Sequence, residues 1–143
     1  VRELITHQPH SAQTDISKAV QFLNSITKHK SIVFLLSDFA DAGYQDILRV
    51  AAKRHDIIGV QVYDARDEQL PDIGLLQVRD AESGQMVWLN TSDAFTRHRY
   101  NHQFIQILDD ARNVFRKSGA DLMQLATGED YVKKLQEFFQ KRA

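Results

Sequence analysis

Apolar residues three and four positions apart along residues 15–28 predict an amphipathic helix, and Thr14 is placed to cap its first turn. The almost uninterrupted apolar run at residues 31–37 predicts a central strand that is buried on both faces. A short helix ending near His55 and a second apolar strand over residues 57–63 follow. Strand, helix and strand in this order predict a βαβ unit with parallel strands and a right-handed crossover.

The middle of the chain has a different pattern, because short β-rich runs replace the long apolar ones. Residues 75–79 and 85–90 predict a hairpin, closed by a glycine-containing turn over residues 80–84. The polar residues 65–74 before it predict an exposed loop. The longest helix is predicted over residues 93–117.

The last part of the pattern returns to alternating strand and helix. Residues 122–125 predict a short strand, and residues 127–130 supply the cap of a terminal helix. The whole of residues 1–143 is therefore expected to be one α/β domain, or part of one, with a Rossmann-like, mostly parallel sheet and an inserted β-hairpin. The apolar side of the terminal helix holds Val132, Leu135, Phe138 and Phe139.

Charge and cysteine content exclude several functions. Eighteen Lys and Arg residues against nineteen Asp and Glu residues give a net charge of -1, so bulk charge supports binding neither to nucleic acid nor to an anionic membrane. The chain has no cysteine, which removes disulfides, thiol nucleophiles and Cys-based metal sites. Its longest apolar run is too short to span a bilayer and no signal segment opens it, so we expect a cytoplasmic location. It begins at Val1 inside an amphipathic segment, and upstream residues are expected to be missing.

Three aspartates are candidates for a metal site. Asp38 follows the apolar strand directly, and the carboxyl ends of parallel strands are where open α/β sheets bind ligands. Asp41 and Asp64 are expected near the same edge, so three carboxylates could hold Mg²⁺ or Mn²⁺. The alternative is that Asp38 caps the following turn and Asp64 opens a loop, which the spacing alone favours.

Other candidate chemistry is weaker. His98 and His102 lie four residues apart on the long helix, but Arg97 and Arg99 flank His98 and no general-base Glu is present, so an exposed helix face is favoured over zinc. Glycine-rich phosphate-binding motifs are absent. Core packing is the expected role of the apolar stripe formed by Phe104, Ile107, Leu108, Ala111 and Phe115. Acyl transfer is disfavoured for Ser11, Ser17 and Ser37, since Ser37 lacks the G-x-S-x-G elbow.

Several runs, taken in order and spacing, resemble the carboxyl half of the bacterial family called domain of unknown function 58. Proteins of that family look like von Willebrand factor A domains and are commonly encoded beside MoxR-type AAA+ ATPases. The resemblance spans nearly the whole chain. The runs are T-D-I at 14–16, S-I-V-F-L-L-S-D-F at 31–39, H-D-I-I-G-V at 55–60, E-Q-L-P-D at 68–72, D-A-E-S-G at 80–84 and F-F-Q-K-R at 138–142.

The resemblance implies a metal-ion-dependent adhesion site. In von Willebrand A domains this site uses an Asp-x-Ser-x-Ser loop, a Thr from a second loop and an Asp from a third. Thr14 matches the second loop and Asp38 the third, whereas the first loop has no counterpart, because D-I-S-K-A at 15–19 ends in Ala and follows the Thr. Mg²⁺ or Mn²⁺ is therefore expected in a full-length form, with no tight binding by this chain alone.

Two functions follow as hypotheses. The leading one is a non-enzymatic protein-interaction module, assisted by a divalent metal in the full-length form and working with a MoxR-type AAA+ ATPase. The alternative is a Mg-dependent phosphoryl-transfer or hydrolytic enzyme with Asp38, Asp41 and Asp64 around the metal. No His lies at a predicted carboxyl strand end, and His55 falls at the start of a strand, so binding without turnover is favoured.

The strand at residues 31–37 also predicts self-association. It has one obvious parallel neighbour, residues 57–63, and an apolar strand with an open edge is a template for pairing. A homodimer or larger assembly is expected, through this edge or through residues 1–5 and the first helix.

Overall fold

The computed structural model describes Thr6, residues 14–79 and residues 84–142. These ranges form a mixed α/β fold in which a parallel sheet carries helices on both faces. The elements are α1 (Ile16–Ile26), β1 (Ile32–Ser37), α2 (Gln45–Ala52), β2 (Asp56–Tyr63), β3 (Leu75–Arg79), β4 (Met86–Asn90), α3 (Ala94–Ser118), β5 (Asp121–Ala126) and α4 (Tyr131–Arg142), with one 3-10 turn at Ala65–Glu68. None of the described helices is long and apolar enough to cross a membrane.

The main sheet has the strand order β1-β2-β5, and all three strands run parallel. The predicted parallel pairing of β1 and β2 around α2 is thus confirmed. The expectation that residues 31–37 form the central strand is wrong for the described part of the chain, where β2 is central and β1 lies at an edge. The reason is that β5 pairs with the far side of β2, so that residues 57–61 are buried in succession while burial alternates along β1.

The inner face of the sheet packs against α1, α2 and α3. Phe115 of α3 lies directly over Gly59 of β2, where an added Cβ would stand 2.5 Å from two carbons of the ring. Gly59 is therefore required for close approach of the helix to the sheet. The buried cluster on this face comprises Ile16, Val20, Phe39, Tyr44, Leu48, Ala51, Ile57, Ala111 and Phe115.

The outer face of the sheet packs against α4 on the side of β2 and β5. Ile58, Val60 and Met123 on this face are buried. The β1 side is less well covered: Phe34 meets Phe139 of α4 edge to face with ring centroids 6.4 Å apart, yet it stays 46% exposed. The sheet thus has one fully packed face and one that is packed over two of its three strands.

Helix ends follow the predicted signals with one correction. Asp93 caps α3 by accepting from the backbone N–H groups of Phe95 and Thr96, and Gly119 ends that helix with φ +73°. The cap of α1 is Asp15, whose carboxylate accepts from the Lys18 N–H at 2.8 Å, and the expectation that Thr14 caps this helix is wrong. The Asp15 carboxylate is a charged acceptor at the positive end of the helix, and it satisfies a free N–H group from one residue later than predicted.

The hairpin is confirmed as a separate antiparallel sheet of β3 and β4, with Val78 opposite Val87. Of its predicted turn, residues 80–83 lie outside the described residues, and Gly84 has φ +69°. The predicted loop before it begins with the 3-10 turn. Thr91 joins the hairpin to this loop, because its hydroxyl donates to the Gly74 carbonyl at 2.7 Å and accepts from the Ile73 N–H at 3.1 Å.

Candidate functional site

The carboxyl end of β1 forms a strained corner that presents Asp38. Phe39 is the only non-glycine residue with a positive φ, 55°, among those the structure describes, and its side chain is buried against Phe115 with centroids 4.9 Å apart. A left-handed phenylalanine costs energy and persists only when its surroundings fix it, which the packing of this ring does. Asp38 is held exposed as a result: its Oδ1 accepts from the Ala40 N–H at 3.2 Å and lies 3.3 Å from the Ser37 hydroxyl.

Two linked side-chain amides, of which Gln61 is fully buried and Gln124 half-buried, support this corner from below. The Gln61 side chain, fully buried in β2, donates to the Asp38 carbonyl at 2.7 Å. Its Oε1 accepts from Gln124 Nε2 of β5 at 2.8 Å, and the same nitrogen contacts the Leu108 carbonyl of α3 at 2.9 Å. Arg112 of α3 donates to Gln124 Oε1. The Asp38 backbone is thus tied through two strands to the long helix.

Beside the corner lies a cleft of about 800 Å³ between the carboxyl ends of β1 and β2 and the helix α3. Three carboxylates and one guanidinium give it an acidic lining, and tyrosine and phenylalanine rings give it an aromatic wall. Burial raises the pKa of the Tyr100 hydroxyl, and the charge of Asp67 raises it further. The lining residues are Asp38, Ala40, Gln61, Val62, Tyr63, Asp64, Asp67, Arg79, Tyr100, Gln103, Phe104, Ile107 and Leu108. The apolar stripe of α3 was expected to pack in the core. Its first three residues line the cleft instead: Phe104, Ile107 and Leu108.

The three aspartates expected at this edge do not come together. Asp38 and Asp64 both line the cleft, and Asp64 Oδ1 accepts from the Arg66 N–H at 2.9 Å as the cap of the 3-10 turn. Asp41 instead accepts from the Ile16 N–H of α1 at 2.9 Å through Oδ2. Asp41 therefore helps to cap a helix, and within the described ranges no three His, Asp or Glu side chains form a metal-binding group.

Asp41 also brings the loop before α1 to the Asp38 corner. Thr14 is exposed in that loop, directly before the capping residue Asp15. The Lys18 backbone N–H, followed by the Lys18 ammonium, lowers the pKa of the Asp15 carboxyl. On the same side, burial raises the pKa of Tyr44 to about 12, and the charge of Asp41 adds to this effect. The two residues implied by the family pattern, Thr14 and Asp38, thus belong to neighbouring loops.

The remaining predicted candidates are not assembled into sites. His98 and His102 are both exposed on α3. Ser37 accepts from the Phe39 N–H at 3.1 Å, so its hydroxyl stabilises the corner. Ser17 is half-buried in α1, and Ser11 lies outside the described residues.

The opposite, amino-terminal edge of the sheet holds a second cavity, of about 520 Å³. His55 on its wall is 4% exposed, and neither ring nitrogen has a hydrogen-bond partner within the described ranges. Arg142 closes this edge by contacting both Asp56 of β2 and Asp121 of β5. The Asp56 carboxylate, followed by Asp121, raises the pKa of the Arg142 guanidinium. This edge is a structural clamp between α4 and the sheet.

The sequence reasoning missed Gln61 and Phe39, which fix the Asp38 corner. A signal for Gln61 was present, because it is the one strongly polar residue between two valines of an otherwise apolar strand. Nothing in the sequence marks Phe39 as left-handed.

Comparison with known proteins assigns the family. Residues 1–107 match the family described as protein of unknown function DUF58. The chain belongs to this family. The resemblance drawn from the sequence runs is therefore confirmed at the level of the family, whose description names no activity.

Curated relatives of this DUF58 chain are uncharacterized mycobacterial proteins. The protein MAV169 of Mycobacterium avium is 28% identical over 135 residues, which cover 94% of this chain and 79% of that protein. Rv1480 of Mycobacterium tuberculosis and Mb1516 of Mycobacterium bovis are each 30% identical over 139 residues, covering 94% of this chain and 42% of theirs. The chain thus spans less than half of these two longer relatives.

A solved structure shares the fold. The crystal structure of the conserved hypothetical protein BatB from Bacteroides thetaiotaomicron matches 97% of this chain and 62% of its own, with a TM-score of 0.50 and 16% sequence identity. At this identity the likeness concerns the fold alone.

Proposed function

We propose that this DUF58 chain is a non-enzymatic protein-interaction module that engages its partner at the carboxyl edge of the parallel sheet. The observation that carries the proposal is the Asp38 corner. An exposed carboxylate stands there on a backbone fixed by the buried Phe39 ring and the Gln61 amide, beside a cleft of about 800 Å³. Preorganised polar groups beside a partly apolar concavity are the usual composition of a recognition site.

This proposal interprets the fold as a von Willebrand A-like, Rossmann-like sheet. This chain would supply the carboxyl-terminal part of that sheet. Three parallel strands with helices on both faces, and a cleft at their carboxyl ends, support this interpretation. The greater length of Rv1480 and Mb1516 is consistent with further chain completing the domain in such proteins.

Thr14 and Asp38 are the residues that would contribute to a divalent metal site in a longer form. A hydroxyl and a single carboxylate are too few to hold Mg²⁺ or Mn²⁺ tightly, and Asp41 is engaged by α1. We therefore expect only weak binding by this chain, measured by calorimetric titration with MgCl₂ or MnCl₂. A sub-micromolar affinity that Asp38→Ala abolishes would show that the site is complete without further ligands.

The partner proposed is a MoxR-type AAA+ ATPase, which would place the interaction in the cytoplasm. The test uses the purified chain and the purified MoxR-type ATPase encoded beside its gene, with binding followed by calorimetry. Asp38→Asn is expected to weaken binding at least tenfold, because it removes the charge while keeping the side-chain shape. Asp46→Asn is the matched control, since Asp46 lies on α2 with an 86% exposed side chain and pairs with Arg49.

Absence of binding, or an equal loss for Asp38→Asn and Asp46→Asn, would contradict the proposal. The alternative of a Mg-dependent phosphoryl-transfer or hydrolytic enzyme gains no specific support from the described residues. Asp38 and Asp64 line the cleft, but none of the described residues that line it is a His able to act as a base, and Asp41 is turned to α1.

A further inference from the structure

The cleft beside the Asp38 corner carries an excess of negative charge. Three carboxylates and one guanidinium are among its lining side chains, those of Asp38, Asp64, Asp67 and Arg79. Within the described part of the chain, no ion pair joins any of these carboxylates to a Lys or Arg side chain. The Arg79 guanidinium lies close to Gly84 instead, where an added Cβ would stand 3.6 Å from its Nη2. The cleft therefore attracts a cation.

One wall of the same cleft is aromatic. Phe104 of α3 meets Tyr63 of β2 edge to face with ring centroids 5.8 Å apart, and Tyr100 lies one turn before Phe104 on α3. Burial, followed by the charge of Asp67, raises the pKa of the Tyr100 hydroxyl, so the Asp67 carboxylate lies near this wall. Carboxylates beside aromatic rings suit an organic cation, because the face of a ring also attracts positive charge.

The backbone that carries Asp64 and Asp67 is fixed relative to the aromatic wall. The Asp67 N–H donates to the Asp64 carbonyl at 3.0 Å within the 3-10 turn. The Asn101 side chain of α3 donates to the Glu68 carbonyl at 2.9 Å, so this turn is tied to the helix that carries the rings. Little further ordering is needed when a ligand enters, which favours binding.

Two classes of ligand fit this cleft poorly. A bare divalent cation needs several oxygen ligands around one point, and no group of three His, Asp or Glu side chains in the described ranges provides them. Nucleotides and nucleic acids are repelled, because the carboxylates of the cleft outnumber its guanidinium. A guanidinium ligand fits better, since its plane stacks on aromatic rings while its N–H groups donate to carboxylates.

We propose that the cleft receives an arginine side chain of the partner protein, with its guanidinium between the Asp67 carboxylate and the rings of Tyr100 and Phe104. This contact rests on the proposed function, in which a partner docks at this edge of the sheet. The methylene groups of the arginine pack on Ile107, which lines the cleft one turn after Phe104. Because the contact joins opposite charges, it weakens as the salt concentration rises.

Titration of the isotope-labelled chain with acetyl-arginine amide, followed by nuclear magnetic resonance, tests the cleft without the partner. Acetyl-citrulline amide is the matched probe, because it keeps the shape of arginine and carries no charge. With the arginine probe, amide shifts are expected to saturate around Asp67 and Tyr100, at an affinity about five- to tenfold above that of the citrulline probe. Acetyl-lysine amide is expected to bind with an affinity between the two.

Two variants separate the ring from the charge. Phe104→Leu keeps an apolar side chain but removes the ring, and Asp67→Asn removes the charge but keeps the shape. Each is expected to weaken binding of the arginine probe about three- to fivefold. Phe95→Leu and Asp46→Asn make the same changes at exposed positions outside the cleft and should leave the affinity unchanged. The amide spectrum of each variant also verifies its fold.

Equal affinities for the arginine and citrulline probes would overturn the proposal, as would tighter binding of the lysine probe or shifts spread over acidic surfaces outside the cleft. The purified MoxR-type ATPase then separates this contact from the proposed function. Phe104→Leu and Asp67→Asn should each weaken its binding at least threefold. If the ATPase binds both variants as tightly as the unmodified chain, the arginine contact alone is wrong. If it does not bind while the arginine probe does, the proposed partner is wrong and the chemistry of the cleft is supported.

Discussion

The neighbouring strands β1 and β2 have similar apolar content but very different environments. Residues 57–61 of β2 are all buried, whereas Ile32, Phe34 and Leu36 of β1 are largely exposed. Within the described ranges β2 lies between two strands and β1 has one neighbour, which accounts for this difference. Equivalent substitutions in the two strands should therefore change the free energy of unfolding by different amounts. The polar Gln61 lies between two valines of β2, and its replacement is also expected to destabilise the fold.

The largest contrast is expected between Ile58→Ala and Phe34→Ala, which lie side by side in the register of the outer face. Ile58 is fully buried, so its truncation leaves a cavity and should reduce the free energy of unfolding by about 3–4 kcal/mol. Phe34 is already half-exposed, and its loss should cost about 1 kcal/mol. Urea denaturation at a concentration where the chain is monomeric measures both, and equal losses would contradict the edge position of β1.

Next in size is Gln61→Leu, which removes the partner of the Asp38 carbonyl and of one Gln124 side-chain N–H, while Gln124 keeps its bond to the Leu108 carbonyl. A loss of about 2 kcal/mol is expected on denaturant unfolding. The double variant Gln61→Leu with Gln124→Leu removes both amides and should lose less than the sum of the two single variants. Strict additivity would show that the two amides do not act as one unit.

Asp38→Ala should cost less still, about 0.5–1 kcal/mol, because Asp38 is exposed and only its contacts with Ala40 and Ser37 are lost. Asp38→Asn keeps an oxygen at the same place and should be close to neutral. A loss of more than about 2 kcal/mol for Asp38→Ala in thermal or urea unfolding would mean that the carboxylate has a structural role.

The smallest change in stability is expected from Asp93, the residue that caps α3. Hydrogen bonds from Thr96 lower the pKa of Asp93 below its usual 3.8, so folding favours the ionised form. The resulting stabilisation is present above the usual pKa and is lost as the pH falls through the lower pKa of the folded state. Melting temperatures of the unmodified chain and Asp93→Asn, taken from pH 7 to pH 2.5, should therefore differ at neutral pH and converge in acid. A difference that grows in acid would contradict this sign.

Much of the fold could be predicted because it depends on local patterns. Periodicity located α3, β2 and the hairpin to within about a residue or two, and Gly119 marked the end of α3. The position of β1 could not be predicted, since an apolar run is equally compatible with the centre and the edge of a sheet. Strand order depends on where a distant segment, β5, adds to the sheet.

Part of the candidate site could also be predicted, because it too depends on local patterns. Asp38 and Asp64 lie at the expected edge because carboxyl ends of parallel strands coincide there. Asp41, only three residues after Asp38, is directed to α1 by the turn through the left-handed Phe39. That turn is fixed by contacts with Phe115, far away in the sequence, which no local pattern encodes.

The contact of Arg142 with Asp56 has a consequence for how the chain reaches its fold. The two residues are 86 positions apart, so the outer face of β2 cannot be covered by α4 until nearly all of the intervening chain has been synthesised. During that interval Ile58 and Val60 are as accessible as the outer residues of β1. The nascent chain is therefore most prone to misassembly before α4 docks, and Arg142→Ala should lower the yield of folded protein made at high temperature by prolonging that interval.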